Sequence, residues 1–407
     1  MTGTAAGSPA APDHTIRSIV SAREFQALWA GQTQSAVGDQ VARIALAVLV
    51  YDQAHSPLLT AVAYAGSYLP WIAGGLVLAA VADRWPRRTV LVACDLARCA
   101  LIALIAVPGM PLAAMIALLY VATLLDAPFI AARGATFRDI LPGDRYRAGI
   151  TVATTSLQFA AMAGYAVGGI LVSAAGARPA LLADAATFAA SALLITLAVA
   201  RRPAAHTGKL ELRAHIGGGM KAVFTSRKLR TCMFFGWLAA LYTAPAAVAV
   251  PLAASKGGGA AAAGLIFAAT PLGTAAGSAA YGRLLPPAAQ TRWMGPAAAA
   301  CCGSLALFLA GPGLGWSLAI LVLSGSLAGY QVAANTSFVQ ALSRDQQAQA
   351  FGIATAGIWT IQGIAFIAAG SAADHFAAGT VIAAFGITGA ILALGLTAAW
   401  LGAADPV

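Results

Sequence analysis

The sequence predicts an all-α polytopic membrane protein of twelve spanning helices, arranged as two pseudo-symmetric six-helix bundles. Three observations predict it. Hydrophobic residues fill 60% of the 407 positions and charged residues only 9%, a balance that would leave a soluble domain with large exposed apolar patches. Apolar runs near the spanning length of ~20 residues recur along the whole chain and lack the strict alternation of a barrel strand. The basic residues gather in every second connector, the bias that orients helices in a bilayer.

The opening, MTGTAAGSPAAPDHTIRSIV, has no charged segment leading into an apolar one, so no cleavable signal is expected and residues 1–22 read as a polar cytoplasmic tail. A first half, 23–200, carries spans at 25–50, 57–82, 89–107, 111–136, 148–174 and 178–200. The polar connector 201–230 follows. Its LELRAHIGGGMKAVF has the faces of a short surface helix, weakened by three glycines. A second half, 231–407, carries spans at 231–254, 259–282, 294–311, 314–340, 350–371 and 377–402. Pro/Gly punctuation such as PGMP at 108–111 and KGGG at 256–259 separates several of them. With the amino terminus inside, nineteen basic residues fall on the cytoplasmic side and only Arg178 and Lys256 on the other. Both termini are therefore expected in the cytoplasm, with the chain in the cell membrane.

The formal charge of +10 is scattered through connectors and forms no basic-aromatic surface, which argues against nucleic acid. Cys94, Cys99, Cys232, Cys301 and Cys302 sit in or beside apolar runs without metal-ligand spacing and read as packing residues. The five histidines lie in the tail, connectors or span ends, and neither HExxH nor a P-loop is present. No enzymatic activity, cofactor or metal is expected. The expected partners are a small-molecule substrate, protons and the lipid bilayer, with the chain a monomer. Two six-helix halves around a basic middle loop suit a secondary transporter binding at the midplane.

Between the second and third spans the chain reads AAVADRWPRR, with Asp83, Arg84, Arg87 and Arg88 in order. This resembles the G-x-L-A-D-R-x-G-R-[RK] signature of the major facilitator superfamily, with Ala79 and Pro86 where the two glycines stand. The resemblance implies a carboxylate at Asp83 facing the amino end of the eleventh span. It also implies that Arg87 pairs with an acidic group at the end of the fourth, for which Asp139 is the candidate. Such contacts would form when the halves close on the cytoplasmic side. The D-L-x-R phrase at Asp95 and Arg98, REFQALWAGQTQSAVGD, SLQF and DAATF are similar to a macrolide-efflux-like, drug:proton antiporter branch. Gly164, Gly168 and Gly169 in GYAVGG resemble the antiporter motif G-P-x-x-G-G and also suit close helix packing. The resemblance implies export of an amphipathic small molecule against protons; uptake or uniport is the alternative.

Charge inside a span is costly unless paired, so each such residue is a candidate. Asp39 and Arg43 lie four residues apart in the first span and read as a pair that could open to admit a proton. Asp126 in the fourth span has no charged neighbour within a turn and needs a partner from another helix. Asp95 and Arg98, three apart, read as a structural ion pair, and Asp184 as a structural residue near the outer end of the sixth span. In the second half Ala246 follows Pro245 where this branch often carries an acid, which argues against strongly cationic cargo. Trp237, Tyr242, Tyr330, Gln331, Asn335, Trp359 and Gln362 are polar or aromatic residues in apolar spans and are candidates for the cleft wall.

Overall fold

The computed structural model describes residues 22–70, 84–141, 143–202, 223–342 and 344–402. Asp83, the rest of the second span beyond Pro70 and most of the central connector, with the contact expected of Asp83, lie outside the described residues. Every element among the described residues is helical, as backbone groups in lipid require.

The first span is one helix, Arg23–Ala54, closed by His55 in the left-handed region at φ 50°. The second starts at Pro57–Ala65, where Pro57 takes the first turn and the Ser56 hydroxyl accepts from the Leu59 amide at 3.3 Å. The third is Arg87–Ile105 and the fourth Leu112–Leu124 followed by Asp126–Ile140. Asp144–Ala175 and Ala177–Ala198 complete the first six. The seventh differs from the single helix expected: it runs as Arg227–Trp237, Ala239–Tyr242, a tighter 3-10 turn at Ala244–Val248 and Ala249–Ser255. Pro245 opens that turn, and its missing N–H cannot continue the α-helical ladder. The eighth is Ala260–Leu284, the ninth Pro287–Ala310, the tenth Leu314–Gln340, the eleventh Arg344–Ala373 and the twelfth Ala378–Leu401. The ninth begins several residues before its predicted edge because proline is tolerated in a first turn.

Nine described helices are long and apolar enough to cross a membrane. The first and third are not among them because they carry charge, and the site forms there. Leu197, Trp316 and Ile391, each well over half exposed, belong to the apolar outer surface.

The first span packs against the fifth and sixth, and the third against the sixth. In the second half the eighth lies along the tenth and the ninth along the twelfth. Gly273 and Gly277 bring the eighth span onto the Val322 and Ser326 backbone, where a Cβ would have no room. The halves meet chiefly where the fifth span contacts the eighth and the second contacts the eleventh.

Candidate functional site

Four aspartates and one arginine converge inside the first half. Arg98 Nη2 donates to Asp39 Oδ1 at 2.9 Å, and Arg98 Nη1 lies 2.7 Å from Asp126 Oδ1. The guanidinium is centred 4.0 Å from the Phe188 ring, so its face is covered too. Asp95 and Asp184 are each 1% exposed, and the Oδ2 atom of each has no hydrogen-bond partner among the described residues. Asp184 Oδ1 faces the Thr187 hydroxyl at 3.4 Å. Asp39, Asp126, Asp184, Arg98, Arg43, Ser67 and Thr123 enclose a space of about 30 Å³, large enough for a water molecule.

Two expected pairings are therefore corrected. Arg98 does not pair with Asp95, because its long side chain crosses to carboxylates on the first and fourth spans. Asp39 does not pair with Arg43, because Arg98 takes its Oδ1, and Arg43 Nη1 donates instead to Gln40 Oε1 at 3.1 Å. Asp184, expected near the outer interface, is buried against the bare backbone of Gly38, where an added Cβ would strike its Oδ1. The small residue beside Asp39 was the only sequence trace of that contact.

A second, larger cavity of about 510 Å³ lies between the halves. Gln40, Arg43, Tyr64, Tyr68, Gln158 and Tyr165 line it from the first half and Tyr242, Thr243, Thr270, Pro271, Gln362 and Phe366 from the second. No carboxylate lines it among the described residues. Arg43 belongs to the walls of both cavities. The end away from the basic connectors is closed by rings: Tyr165 stacks on Phe267 at 5.6 Å, and Tyr64 meets Phe267 at 5.3 Å and Phe366 at 5.2 Å. Toward the basic connectors the wall continues along Gln158 on the fifth span and Thr274 and Ser278 on the eighth.

The cleft candidates divide. Tyr242 and Gln362 line this cavity, and Gln362 donates to the Thr243 hydroxyl at 3.2 Å. Trp359 packs on Tyr68 at 5.4 Å. Trp237, Gln331 and Asn335 line instead a separate pocket of about 200 Å³ within the second half. Tyr330 is fully buried and donates to the Phe235 carbonyl at 3.0 Å, a packing role. Tyr64, Tyr68, Tyr165, Gln40 and Gln158 escaped the sequence reading because aromatic and amide residues in spans serve equally as anchors and packing.

On the basic-connector side Arg87 pairs with Asp139, and Arg202 lies 2.6 Å from Glu24 and 3.8 Å from Asp139. Arg88 donates to the Thr196 carbonyl, and Arg84 is exposed. This network ties the first, third, fourth and sixth spans to one another, so the Arg87–Asp139 contact, expected to need closure of the two halves, forms within the first half alone. On the opposite side Asp374 accepts from the Leu58 amide at 3.1 Å and the Ser56 hydroxyl at 3.3 Å, joining the end of the eleventh span to the start of the second. A Cβ on Gly164 or Gly168 would meet the first span at Val37 and Val41, and Gly169 faces Gly264 of the eighth span backbone to backbone.

Five cysteines are free thiols, and no group among the described residues could hold a metal ion.

A family model described as the Major Facilitator Superfamily matches residues 28–357. No curated protein sequence matches the chain. Among solved structures, a POT family transporter in complex with a thioalcohol-conjugated peptide is similar at TM-score 0.75 and 11% identity, over 94% of this chain and 97% of that one. A bacterial homologue of the human lysosomal transporter Spinster aligns at TM-score 0.67 and 14% identity, over 97% and 96%. The nucleoside transporter NupG aligns at TM-score 0.67 and 14% identity, over 94% and 100%. At these identities the likeness is one of fold.

Proposed function

The chain belongs to the major facilitator superfamily, and from that premise we propose that this secondary transporter is proton-coupled and carries a small amphipathic molecule across the cell membrane by alternating access. The observation that carries the reading is the juxtaposition of a substrate-sized cavity between the halves with a group of four carboxylates beside it, two of them fully buried. Two of those carboxylates share one guanidinium and two keep an unpartnered oxygen. Buried negative charge in excess of its partners is costly, and a proton is the mobile charge that can balance it. Asp39 and Asp126 are the carboxylates with access, at 30% and 21% side-chain exposure. They take and release the proton, with Asp184 and Asp95 behind them.

With the basic connectors in the cytoplasm, the aromatic layer closes the outer end and the cavity faces inward. Export by antiport, which the sequence resemblance implies, requires that proton and substrate exclude one another. The cavity wall offers them no common carboxylate among the described residues, an observation that favours the second direction, uptake together with the proton.

The test uses the full chain in proteoliposomes with an entrapped pH dye. Candidate compounds added under an imposed proton gradient are expected to drive proton movement, reduced in Asp39→Asn and Asp126→Asn. If flux of every compound is indifferent to the gradient and to both substitutions, coupling to protons is wrong.

A further inference from the structure

Arg43 is the residue that the two cavities share, and its bonding is incomplete. Of its five N–H donors, one reaches Gln40 Oε1; among the described residues it forms no ion pair, and the Tyr68 ring lies 5.7 Å from the guanidinium carbon. The rest of the central cavity supplies ring faces and neutral hydrogen-bonding groups: Tyr64, Tyr68 and Tyr165, with amides at Gln40, Gln158 and Gln362. A cationic substrate would find there a fixed positive charge and no carboxylate. An aromatic anion would find a guanidinium to bind and rings to stack on.

We propose that the substrate is a small aromatic or amphipathic organic anion whose charged group binds Arg43, and that its binding draws a proton into the neighbouring aspartate group. The inference rests on the proton-coupled reading above and adds the substrate class and the sign of the coupling. Arg43 faces the small cavity of Asp39, Asp126 and Asp184 on one side and the substrate cavity on the other. The other charged and titratable groups around this region are Arg98 and Asp95 on the third span, Arg133 on the fourth, and the hydroxyls of Tyr64, Tyr68 and Tyr165. Arg98 is already held by two carboxylates, and Arg133, with two buried nitrogens unpartnered among the described residues, lines neither cavity, so Arg43 is the cation that a substrate in the central cavity reaches. When an anion takes Arg43, the positive charge that the aspartates felt is neutralised, and a proton from water on one of their oxygens replaces it. Anion and proton then bind together, as symport requires; a cation would instead compete with the proton.

The probe is 2-naphthalenesulfonate, which stays ionised and so does not leak across a bilayer as a neutral acid, compared with the neutral 2-naphthalenesulfonamide and the cation trimethyl(2-naphthyl)ammonium. Binding to the purified full-length protein is measured by calorimetry in buffers of different ionisation enthalpy, which counts protons taken up. The sulfonate is expected to bind with net proton uptake, and the cation not to bind. Arg43→Gln should weaken the sulfonate about 10- to 100-fold, the loss of a charge-assisted hydrogen-bonded contact. Asp126→Asn should reduce the proton count and, because the coupling is reciprocal, make sulfonate affinity less dependent on pH. Because Arg43→Gln could fail to fold, Arg43→Lys serves as a second variant, retaining charge and part of the affinity. Binding of the cation in preference, sulfonate affinity indifferent to Arg43→Gln, or sulfonate binding without proton uptake each overturns the proposal. If the sulfonate fails while another compound still moves protons in vesicles, this inference falls and the proton-coupled reading stands; if no compound moves protons, the earlier reading falls.

Discussion

Among the described residues, Arg98 is the cation paired with two carboxylates inside a span. Its side chain is 8% exposed and it is the partner of both Asp39 and Asp126, with Asp95 and Asp184 close by. Removing one member of a buried charge group leaves the others uncompensated and costs about 3–5 kcal/mol. Arg98→Ala should therefore lower the thermal midpoint of the purified protein in detergent. Adding Asp126→Asn should recover part of the loss, because one of the stranded charges goes with it. A double variant no more stable than Arg98→Ala would mean that the arginine acts through packing on Phe188 and not through charge. The residues of this group were legible singly, since an ionisable residue inside a span is conspicuous. Their pairing was not. Spacing of three or four residues marks which side chains share a helix face, but a guanidinium on a long stem reaches the neighbouring helix as easily. Which helices neighbour each other is decided by tertiary packing, here of the third span on the sixth and the sixth on the first.

Among the elements, the fifth span meets the eighth in a backbone-to-backbone approach between the halves. Gly169 and Gly264 face each other so closely that a Cβ on Gly264 would lie 2.6 Å from Gly169 Cα and 2.9 Å from the Tyr165 carbonyl oxygen. Small residues at such a point let helices approach without a side chain between them. Gly264→Val should push the two helices apart and loosen the aromatic closure formed by Tyr165 and Phe267. The measurement is labelling by a membrane-impermeant maleimide of a cysteine placed at Thr60, 1% exposed in the parent structure, in a chain whose native cysteines are replaced. Labelling should rise with Gly264→Val; an unchanged rate would mean that the second and eleventh spans hold this side closed unaided. The sequence marked Gly164, Gly168 and Gly169 as packing residues through their spacing. It gave no sign that the first two serve the first span and the third serves the other half, since all three lie within two turns of one helix. Helix boundaries were legible to a few residues except where Pro245 broke the seventh span, Pro287 began the ninth and the eleventh began at Arg344, six residues before its expected edge; the first two are cases in which proline acts through its position in the turn.

For the whole molecule, the alternating access proposed above depends on the free-energy difference between two conformers, and one pair of hydrogen bonds joins the halves on the side away from the basic connectors. Asp374, at the end of the eleventh span, accepts from the Leu58 amide and the Ser56 hydroxyl at the start of the second. It is the counterpart, on the opposite side, of the contact that the signature implies between Asp83 and the amino end of the eleventh span. A carboxylate at a helix amino end satisfies N–H groups that have no partner in the helix. Because Asp374 is exposed and its partners Ser56 and Leu58 are only half-buried, the contact is worth only about 0.5–1 kcal/mol. That is still enough to matter for a balance between two conformers: at RT near ~0.6 kcal/mol, losing it changes their ratio about 2- to 5-fold. Asp374→Ala should therefore move the population away from the arrangement described here, in which the side bearing Asp374 is closed. Spin labels at Gln53 and Ala377, exposed residues flanking the contact from the two halves, report it directly. The long-distance fraction should grow in Asp374→Ala relative to the parent, whereas Arg87→Ala should leave it nearly unchanged, because the Arg87–Asp139 pair lies wholly within the first half. A distribution that responds to Arg87→Ala and ignores Asp374→Ala would place control of the cycle in the signature loop and deny it to the eleventh span's far end.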